Sequence, residues 1–451
     1  MPADALNDSR CREIFDRVVR AAQSYGAPEV EVMIGSRSEA LTRFATNTIH
    51  QNVAEAARWL SVRTQIDGRT ARASANRFDD ETIRRTVERA VALTKAVEPD
   101  PDWLPMAAPG SIAPVSRFCE STAAATPEFR AAAVKEAIDH VESAGQTAAG
   151  IYSTEYDFEA LFNSRGVEAF HSETMSVFSI TAMAGDSSGW AKASSTDCGA
   201  ISPLGLARSA ASKARLSKAP RELPPGHYTV ILEPAAVLDL VGQIFGDFSA
   251  TAIADQRSFL TDRIGKKLFG SNITIHDDVR HPMQAGSPYD GEGLPRQRLT
   301  LVEDGVPREI ACSRSSAKKA GVAPTGHGLP LPNEVGEMPL NIVIAGGSAS
   351  LDEMIASTDR GILVTRLWYI REVDPYEKIM TGMTRDGTFL IENGSVASGL
   401  RNFRFNQSVI ELLSNVEALS PSVRTSGEET FDMVVPAIKA HGFNFTEVTR
   451  F

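Results

Sequence analysis

Pro224-Pro225-Gly226-His227-Tyr228-Thr229-Val230-Ile231-Leu232-Glu233-Pro234-Ala235-Ala236-Val237-Leu238-Asp239-Leu240-Val241-Gly242-Gln243-Ile244-Phe245 divides the chain into two kinds of text. The Pro-Pro-Gly step interrupts any regular element, because two fixed φ angles are followed by a residue without Cβ. His227 to Leu232 then reads as a strand. From Pro234 to Phe245 the residues Val237, Leu238, Val241, Ile244 and Phe245 recur at three and four, the apolar stripe of a helix. Beyond it, short β-like segments are punctuated by Asp304-Gly305, Gly346-Gly347, Asp386-Gly387 and Asn393-Gly394. The main domain boundary therefore falls here, and a β-rich carboxy-terminal domain is expected over 224–451.

Upstream, helical and strand periods alternate. Ile14, Phe15, Val18, Val19 and Ala22 predict a helix between Asp8 and Ser24, stopped by Gly26 and Pro28. Val30, Val32 and Ile34 alternate with Glu29, Glu31 and Met33, which is strand spacing with one buried face. Strand-like text runs from Ala40 to Gln65, Asp67-Gly68 is a hairpin signal, and a second helix is expected near Asp79 to Ala96. This amino-terminal α/β domain, 1–98, ends in a proline-bearing linker from Glu98 to Pro114. A middle α/β segment, 115–219, carries a helix over Glu128 to Gly145, two strands flanking Asn163-Ser164-Arg165-Gly166, and a helix over Leu204 to Ser217. The fold class expected is α+β, with helices on a mixed sheet in the amino-terminal region.

At 451 residues the chain has room for two or three cores, and 42% hydrophobic with 23% charged residues matches ordinary globular proteins. A net charge of −11 gives no attraction for phosphate backbones or anionic lipid, so neither nucleic acid nor a membrane is expected as partner. No run of 18 apolar residues occurs, and Met1-Pro2-Ala3-Asp4 opens no signal peptide pattern. Cys11, Cys119, Cys198 and Cys312 are dispersed without a CxxC pair, which fits reduced thiols and a cytoplasmic location.

The eight histidines, His50, His140, His171, His227, His276, His281, His327 and His441, are never followed by glutamate, so neither HExxH nor HExxxH exists. On the 234–245 helix only Asp239 and Gln243 are polar at i, i+4. One carboxylate and a neutral amide are poor zinc ligands. His276 and His281, with Asp277 and Asp278 between them, are a solvated turn unless a loop gathers them around a metal. Asp290 and Glu292, one glycine apart, are either paired carboxylates for acid/base work or exposed acids of a turn. His327 sits between Gly326 and Gly328, which suits a loop histidine or a close substrate contact. Arg366 in an apolar strand calls for a carboxylate, either a structural partner or a peptide terminus. Ser287 lacks a GxSxG elbow, and Gly346-Gly347-Ser348 lacks the spacing and lysine of a phosphate loop.

A set of ordered segments covers most of the chain: Leu41-Thr42-Arg43-Phe44-Ala45 with Ile49-His50-Gln51-Asn52; Ser258-Phe259-Leu260 through Gly265-Lys266; Thr274-Ile275-His276-Asp277-Asp278; Asp290-Gly291-Glu292-Gly293-Leu294-Pro295 with Arg298; and Glu303-Asp304-Gly305. It continues with Ala317-Lys318-Lys319, Thr325-Gly326-His327-Gly328, Val364-Thr365-Arg366-Leu367, and Val435-Pro436-Ala437-Ile438-Lys439 with Phe443-Asn444-Phe445. Together they resemble the TldD/PmbA family of peptidases, its TldE (PmbA) branch more than its TldD branch; the stretch from 99 to 219 matches least. The resemblance implies a heterodimer in which a TldD-like subunit holds zinc through HExxxH and a distant cysteine, while the TldE-like subunit has no such motif. In the family the zinc helix follows the first strand of the carboxy-terminal domain, the place taken here by Pro234 to Phe245.

The reading is a TldE-like, non-catalytic subunit with no cofactor of its own, paired with a TldD-like HExxxH-bearing chain that carries the zinc. Peptide is the expected substrate, with His327, Arg366, Asp290 and Glu292 as candidate contacts and a peptide or amide bond as the bond broken. Two alternatives stand beside it: a self-sufficient hydrolase with a degenerate metal site at His276 and His281, and a homodimeric peptide-binding protein.

Overall fold

In the computed structural model, which describes residues 6–449, two antiparallel meanders meet edge to edge. The first is β1 (Glu29–Ala45), β2 (Thr48–Ile66) and β3 (Arg69–Ala75); the second is β4 (Thr147–Asn163), β5 (Glu168–Ala184) and β6 (Ser187–Ser195). Their order is β3-β2-β1-β4-β5-β6, and β1 pairs with β4 from Glu31↔Asn163 to Phe44↔Gly150. Residues 1–98 and 115–219 thus contribute to one sheet. Each pairing between its strands is antiparallel rather than mixed. The reason is local: β1 to β2, β2 to β3 and β5 to β6 are joined by two residues each, and a loop that short joins only antiparallel neighbours.

Helices cover one face of this sheet. α1 (Asp8–Ser24) begins where the Asn7 side chain accepts a hydrogen bond from the Arg10 N–H, and it buries Cys11, Ile14, Val18 and Ala22. α2 (Asp80–Ala96) is capped in the same way by Asp79. Both pack on Val32, Ile34, Leu60 and Val62. A fully buried aliphatic side chain in such a seam contributes about 1.5–3 kcal/mol, so an aspartate at Val18 would release α1. After the single turn α3 (Glu120–Ala123), α4 (Pro127–Ser143) and α5 (Pro203–Leu216) cover Phe44, Tyr152, Phe178 and Ile180. Because strand side chains alternate, the opposite face carries Glu31, Arg37, Arg63, Glu159 and His171. That charged face is turned toward the carboxy-terminal domain.

The carboxy-terminal domain opens with β7 (Gly226–Leu232) and α6 (Pro234–Val241), then tightens into a 3-10 segment, Gly242–Asp247, where a longer α-helix was expected. Two short helices, α7 (Ala250–Ala254) and α8 (Arg314–Ala320), follow among its loops. One sheet runs in the order β10-β9-β8-β11-β18-β17, from β8 (Ile275–Asp277), β9 (Leu299–Glu303), β10 (Val306–Pro307), β11 (Ile342–Ile344), β17 (Val423–Thr425) and β18 (Met433–Val435). The other contains β12 (Arg360–Asp374), β13 (Ile379–Glu392), β14 (Ser395–Gly399), β15 (Phe403–Ser408) and β19 (Ile438–Val448), with β16 (Val416–Leu419) paired to β19. Its order is β12-β7-β19-β15-β13, and β12 also pairs with β13, which closes five strands into a barrel. α6 is buried at every residue from Ala235 to Val241 and shares one core with this barrel and the neighbouring sheet. A helix that is apolar on nearly all sides belongs in such a place. Asp386-Gly387, which reads as a turn, lies inside β13, where the register with β12 shifts between Val364↔Thr388 and Arg366↔Arg385. The Asp-Gly step makes a bulge there, with φ of 52° at Asp386.

Candidate functional site

The charged face of the first sheet and the loops of the carboxy-terminal domain enclose two clefts. β4 shows how period-two charge builds this face: Glu155, Asp157 and Glu159 point one way, while Tyr152, Phe158 and Phe162 are buried under helices on the other side. One cleft of about 320 Å³ is lined by Arg37, Trp59, Asp157, Glu159, His171 and Glu173 from the sheet, and by Tyr289, Asp290 and Arg296 from the loops. Burial pushes Glu159 above the ordinary carboxylate range. Burial acts the same way on Glu173, but His171 and the Gly286 N–H, 2.7 Å from its Oε2, outweigh it and hold that group low. Glu155, beside this cleft, is raised to about 8 by burial and by Asp157.

The second cleft, of about 290 Å³, is lined by Arg63, Gln65, Trp103, Glu292 and Arg314 among others. Arg63 donates to both oxygens of Glu31 at 3.0 and 2.7 Å, and Arg72 adds a bond of 2.7 Å to the same carboxylate. Arg72 also donates through Nε to the Leu331 carbonyl at 2.7 Å, which ties the sheet to the second domain.

Two of the predicted residues come together between these clefts, Asp290 lining the first and Glu292 the second. Asp290 and Glu292 are each 3% exposed, so they are not the solvated acids of a turn. Asp290 Oδ1 accepts from the N–H groups of Glu292 and Leu294, both at 2.9 Å, and Oδ2 accepts from the Gly328 N–H at 2.8 Å. Its carboxylate clips two loops into one wall. Glu292 Oε1 accepts from the Arg314 N–H at 3.0 Å, and burial raises its pKa to about 7.

His327 and Arg366 lie elsewhere. His327 is fully buried, with Nδ1 3.0 Å from Thr325 Oγ1 and Nε2 3.1 Å from Asp277 Oδ1. The second contact is within ion-pair range but outside hydrogen-bond angles, and both atoms lack any hydrogen-bond partner. The adjacent Gly328 serves a close approach to the chain itself: a Cβ there would lie 2.5 Å from Glu292 Oε1. Arg366 donates through Nε to Asp386 Oδ2 at 3.0 Å, pairs with it again through Nη2, and has Trp190 of β6 and Trp368 over its guanidinium at 4.9 and 5.7 Å. Asp386 is the carboxylate that this arginine meets.

At α6, Asp239 is buried, and its Oδ1 accepts from the N–H groups of Glu428 and Glu429 at 3.0 and 3.1 Å. Burial raises its pKa to about 6. Gln243 turns its amide back to the Asp239 carbonyl at 3.0 Å. The donor set does not fit zinc: one carboxylate already committed to amides, with neither imidazole nor thiolate beside it. His276 lies in β8, while His281 Nδ1 accepts from the Met283 N–H at 3.3 Å and Asp278 Oδ1 from the Arg280 N–H at 2.9 Å. Among the described residues, no three His, Cys, Asp or Glu side chains are placed to hold a metal ion.

Sequence reasoning missed the Glu31, Arg63 and Arg72 network and the acids of β4 and β5. The available signal was charged residues at every second position of text whose alternate positions are apolar.

A helix-backed antiparallel sheet turning a charged face onto a domain with a closed barrel and a buried helix defines a two-domain, cleft-bearing α+β protein. The chain belongs to the PmbA/TldA metallopeptidase family: the family's domain 1, central domain and C-terminal domain match residues 30–94, 117–218 and 225–447. Metalloprotease PmbA of Escherichia coli O157:H7 is 22% identical over 402 residues, 85% of each chain. A metalloprotease of Methanothermobacter thermautotrophicus is 26% identical over 286 residues, 59% of this chain and 60% of that protein. The crystal structure of TldE from Thermococcus kodakarensis has the same fold, with a TM-score of 0.87 at 21% identity over 96% of this chain and 100% of that one. No helix among the described residues is long and apolar enough to cross a membrane.

Proposed function

We propose that this chain is the TldE-like, non-catalytic subunit of a heterodimeric zinc peptidase whose partner is a TldD-like chain bearing HExxxH. The observation that carries the reading is Asp239. It stands on the helix after the first strand of the carboxy-terminal domain, and it binds two amides of its own chain instead of presenting ligands around an open position. The scaffold then serves to enclose and orient peptide while the partner's zinc supplies the hydrolytic chemistry. Asp290 and Glu292 wall the clefts that peptide would enter, and His327, buried next to Gly328, backs one of those walls, while Arg366 ties β12 to Asp386 of β13 away from both clefts. All four cysteines are free thiols, which agrees with a reducing cytoplasm.

Co-expression with an HExxxH-bearing relative tests the proposal. The expected result is a stable one-to-one complex holding one zinc and hydrolysing flexible peptides, with neither chain active alone. Stoichiometric zinc on this chain by itself, lost on His276→Ala, would overturn it, as would peptide hydrolysis by this chain alone.

A further inference from the structure

The segment that covers α6 is held by two sets of backbone amides acting in opposite senses. Asp239 takes the N–H groups of Glu428 and Glu429. The Glu429 carboxylate in turn accepts from the N–H groups of Tyr369 at 2.8 Å and Ile370 at 3.2 Å, with the Arg371 guanidinium 3.7 Å away. Those two N–H groups point out of the ladder because β12 is bulged: its register with β13 jumps from Trp368↔Met383 to Arg371↔Thr381. Tyr369 takes a φ of 56°, a left-handed conformation that a bulky aromatic enters only where the surroundings impose it. Successive N–H groups converging through a left-handed residue form an anion-binding concavity. Here the anion is part of the same chain.

We propose that the Tyr369–Ile370 bulge is a carboxylate-binding site and that Glu429 is its internal occupant, displaced when a carboxylate of another molecule takes its place. The ligand chemistry is a carboxylate flanked by peptide, either a carboxyl terminus or an acidic side chain. Three features make Glu429 an exchangeable occupant rather than a fixture of the core. It sits on a loop, Gly427 to Thr430, that contains no regular element. Asp239 Oδ2 is buried without a hydrogen-bond partner, so the seat of that loop is incompletely satisfied. The fit also depends on glycine, since a Cβ at Gly427 would lie 2.3 Å from Asp239 Oδ1. Lys192 of β6 donates to the Gly427 carbonyl at 2.7 Å and to Glu428 Oε1 at 3.2 Å. Displacing the loop therefore also loosens a contact between the two domains.

The test uses the full chain without any partner, so its outcome is independent of the heterodimer reading. Glu429→Ala vacates the bulge. Propionate is expected to raise the melting temperature of this variant, and propionamide at the same concentration and ionic strength is not. By calorimetry the variant is expected to bind acetyl-dialanine with a free carboxyl terminus about tenfold tighter than its amide, and about tenfold tighter than the wild-type chain does. A doubly blocked peptide with one internal glutamate separates the two sources: equal binding assigns the site to any carboxylate, weaker binding to the terminus. Gly427→Ala, which lifts the loop from Asp239 while keeping Glu429, is the second variant and is expected to show the same preference for carboxylate. If propionate and propionamide act alike on both variants, or if the wild type binds as tightly as Glu429→Ala, the proposal is wrong.

Discussion

Glu31 and Arg63 stand directly opposite each other on β1 and β2, joined by two hydrogen bonds of 3.0 and 2.7 Å, and both side chains are buried. Arg72 from β3 shares the same carboxylate and reaches Leu331 in the second domain. One acid thus anchors two arginines at the junction between the sheet and the loops that wall the clefts. A buried ion pair contributes little net stability when whole, but removing one partner strands the other charge.

Glu31→Gln is accordingly expected to destabilise the chain by about 3–5 kcal/mol, measured by urea unfolding near neutral pH. Burial alone would raise the pKa of Glu31, but Arg63 and Arg72 outweigh it and hold the group below the usual carboxylate range. With the folded pKa lower than the unfolded one, the contribution is complete above the ordinary value and is lost as pH falls through the folded one. The gap between wild type and variant should therefore narrow only in acid, and a gap independent of pH would remove the assignment.

Glu292 is expected to behave with the opposite sign. Burial raises its pKa to about 7 against an ordinary 4.5, so the folded state favours the protonated form. Its penalty is absent below the unfolded pKa, grows as pH rises between the two values and is constant above the folded one. Glu292→Gln can still accept from the Arg314 N–H, so it is expected to be near neutral at about pH 4. It should stabilise the chain by about 2–3 kcal/mol at about pH 8. Melting curves of the two proteins across that range check this; parallel curves would mean that Glu292 does not titrate where its surroundings imply.

The contrast between these two acids shows what the sequence could convey. Alternation of Val30, Val32 and Ile34 with Glu29 and Glu31 announced a strand with a polar face, and the helix stripes on either side matched α1 and α2. The turn at Thr46 and Asn47 carried no glycine, although both residues take positive φ, so the β1 and β2 hairpin read as continuous strand text. Asp386-Gly387 had the turn composition but became a bulge, because β12 continues alongside it. Glu292 lay in a Gly-rich loop that looked solvated. What buries it is a sheet face more than two hundred residues earlier in the chain, and no local pattern records a contact at that separation.

Arg366 offers a test of geometry rather than charge. Its guanidinium pairs with Asp386 through two nitrogens and lies 4.9 and 5.7 Å from the ring centres of Trp190 and Trp368. Lysine keeps the charge but supplies neither the planar fork nor the stacking surface. Arg366→Lys is expected to lower stability by about 1–3 kcal/mol, since a charge-assisted bond and two ring contacts are lost. Asp386→Asn, combined with it, should add less than it does alone, because both changes break one interaction. Additive losses in the double-mutant cycle would show that Arg366 and Asp386 act separately.

His327 distinguishes a wall from a contact. It is fully buried, its Nε2 is 3.1 Å from Asp277 Oδ1, and the other oxygen of Asp277 accepts from the N–H groups of Leu340 and Asn341 at 2.7 and 2.9 Å. Burial pushes the Asp277 pKa up, but His327, Arg296 and the Asn341 N–H outweigh it and hold the carboxylate low. His327→Ala leaves that carboxylate buried with less compensation and opens a void, so a loss of about 3–5 kcal/mol is expected. In the proposed pair with an HExxxH-bearing chain, once reconstituted, KM and kcat measured below the lowered melting temperature should both stay within about twofold of wild type, since the histidine lines neither cleft. A rise in KM with undiminished stability would instead place His327 against the substrate, and would mean that the loop at 326–328 rearranges when the partner binds.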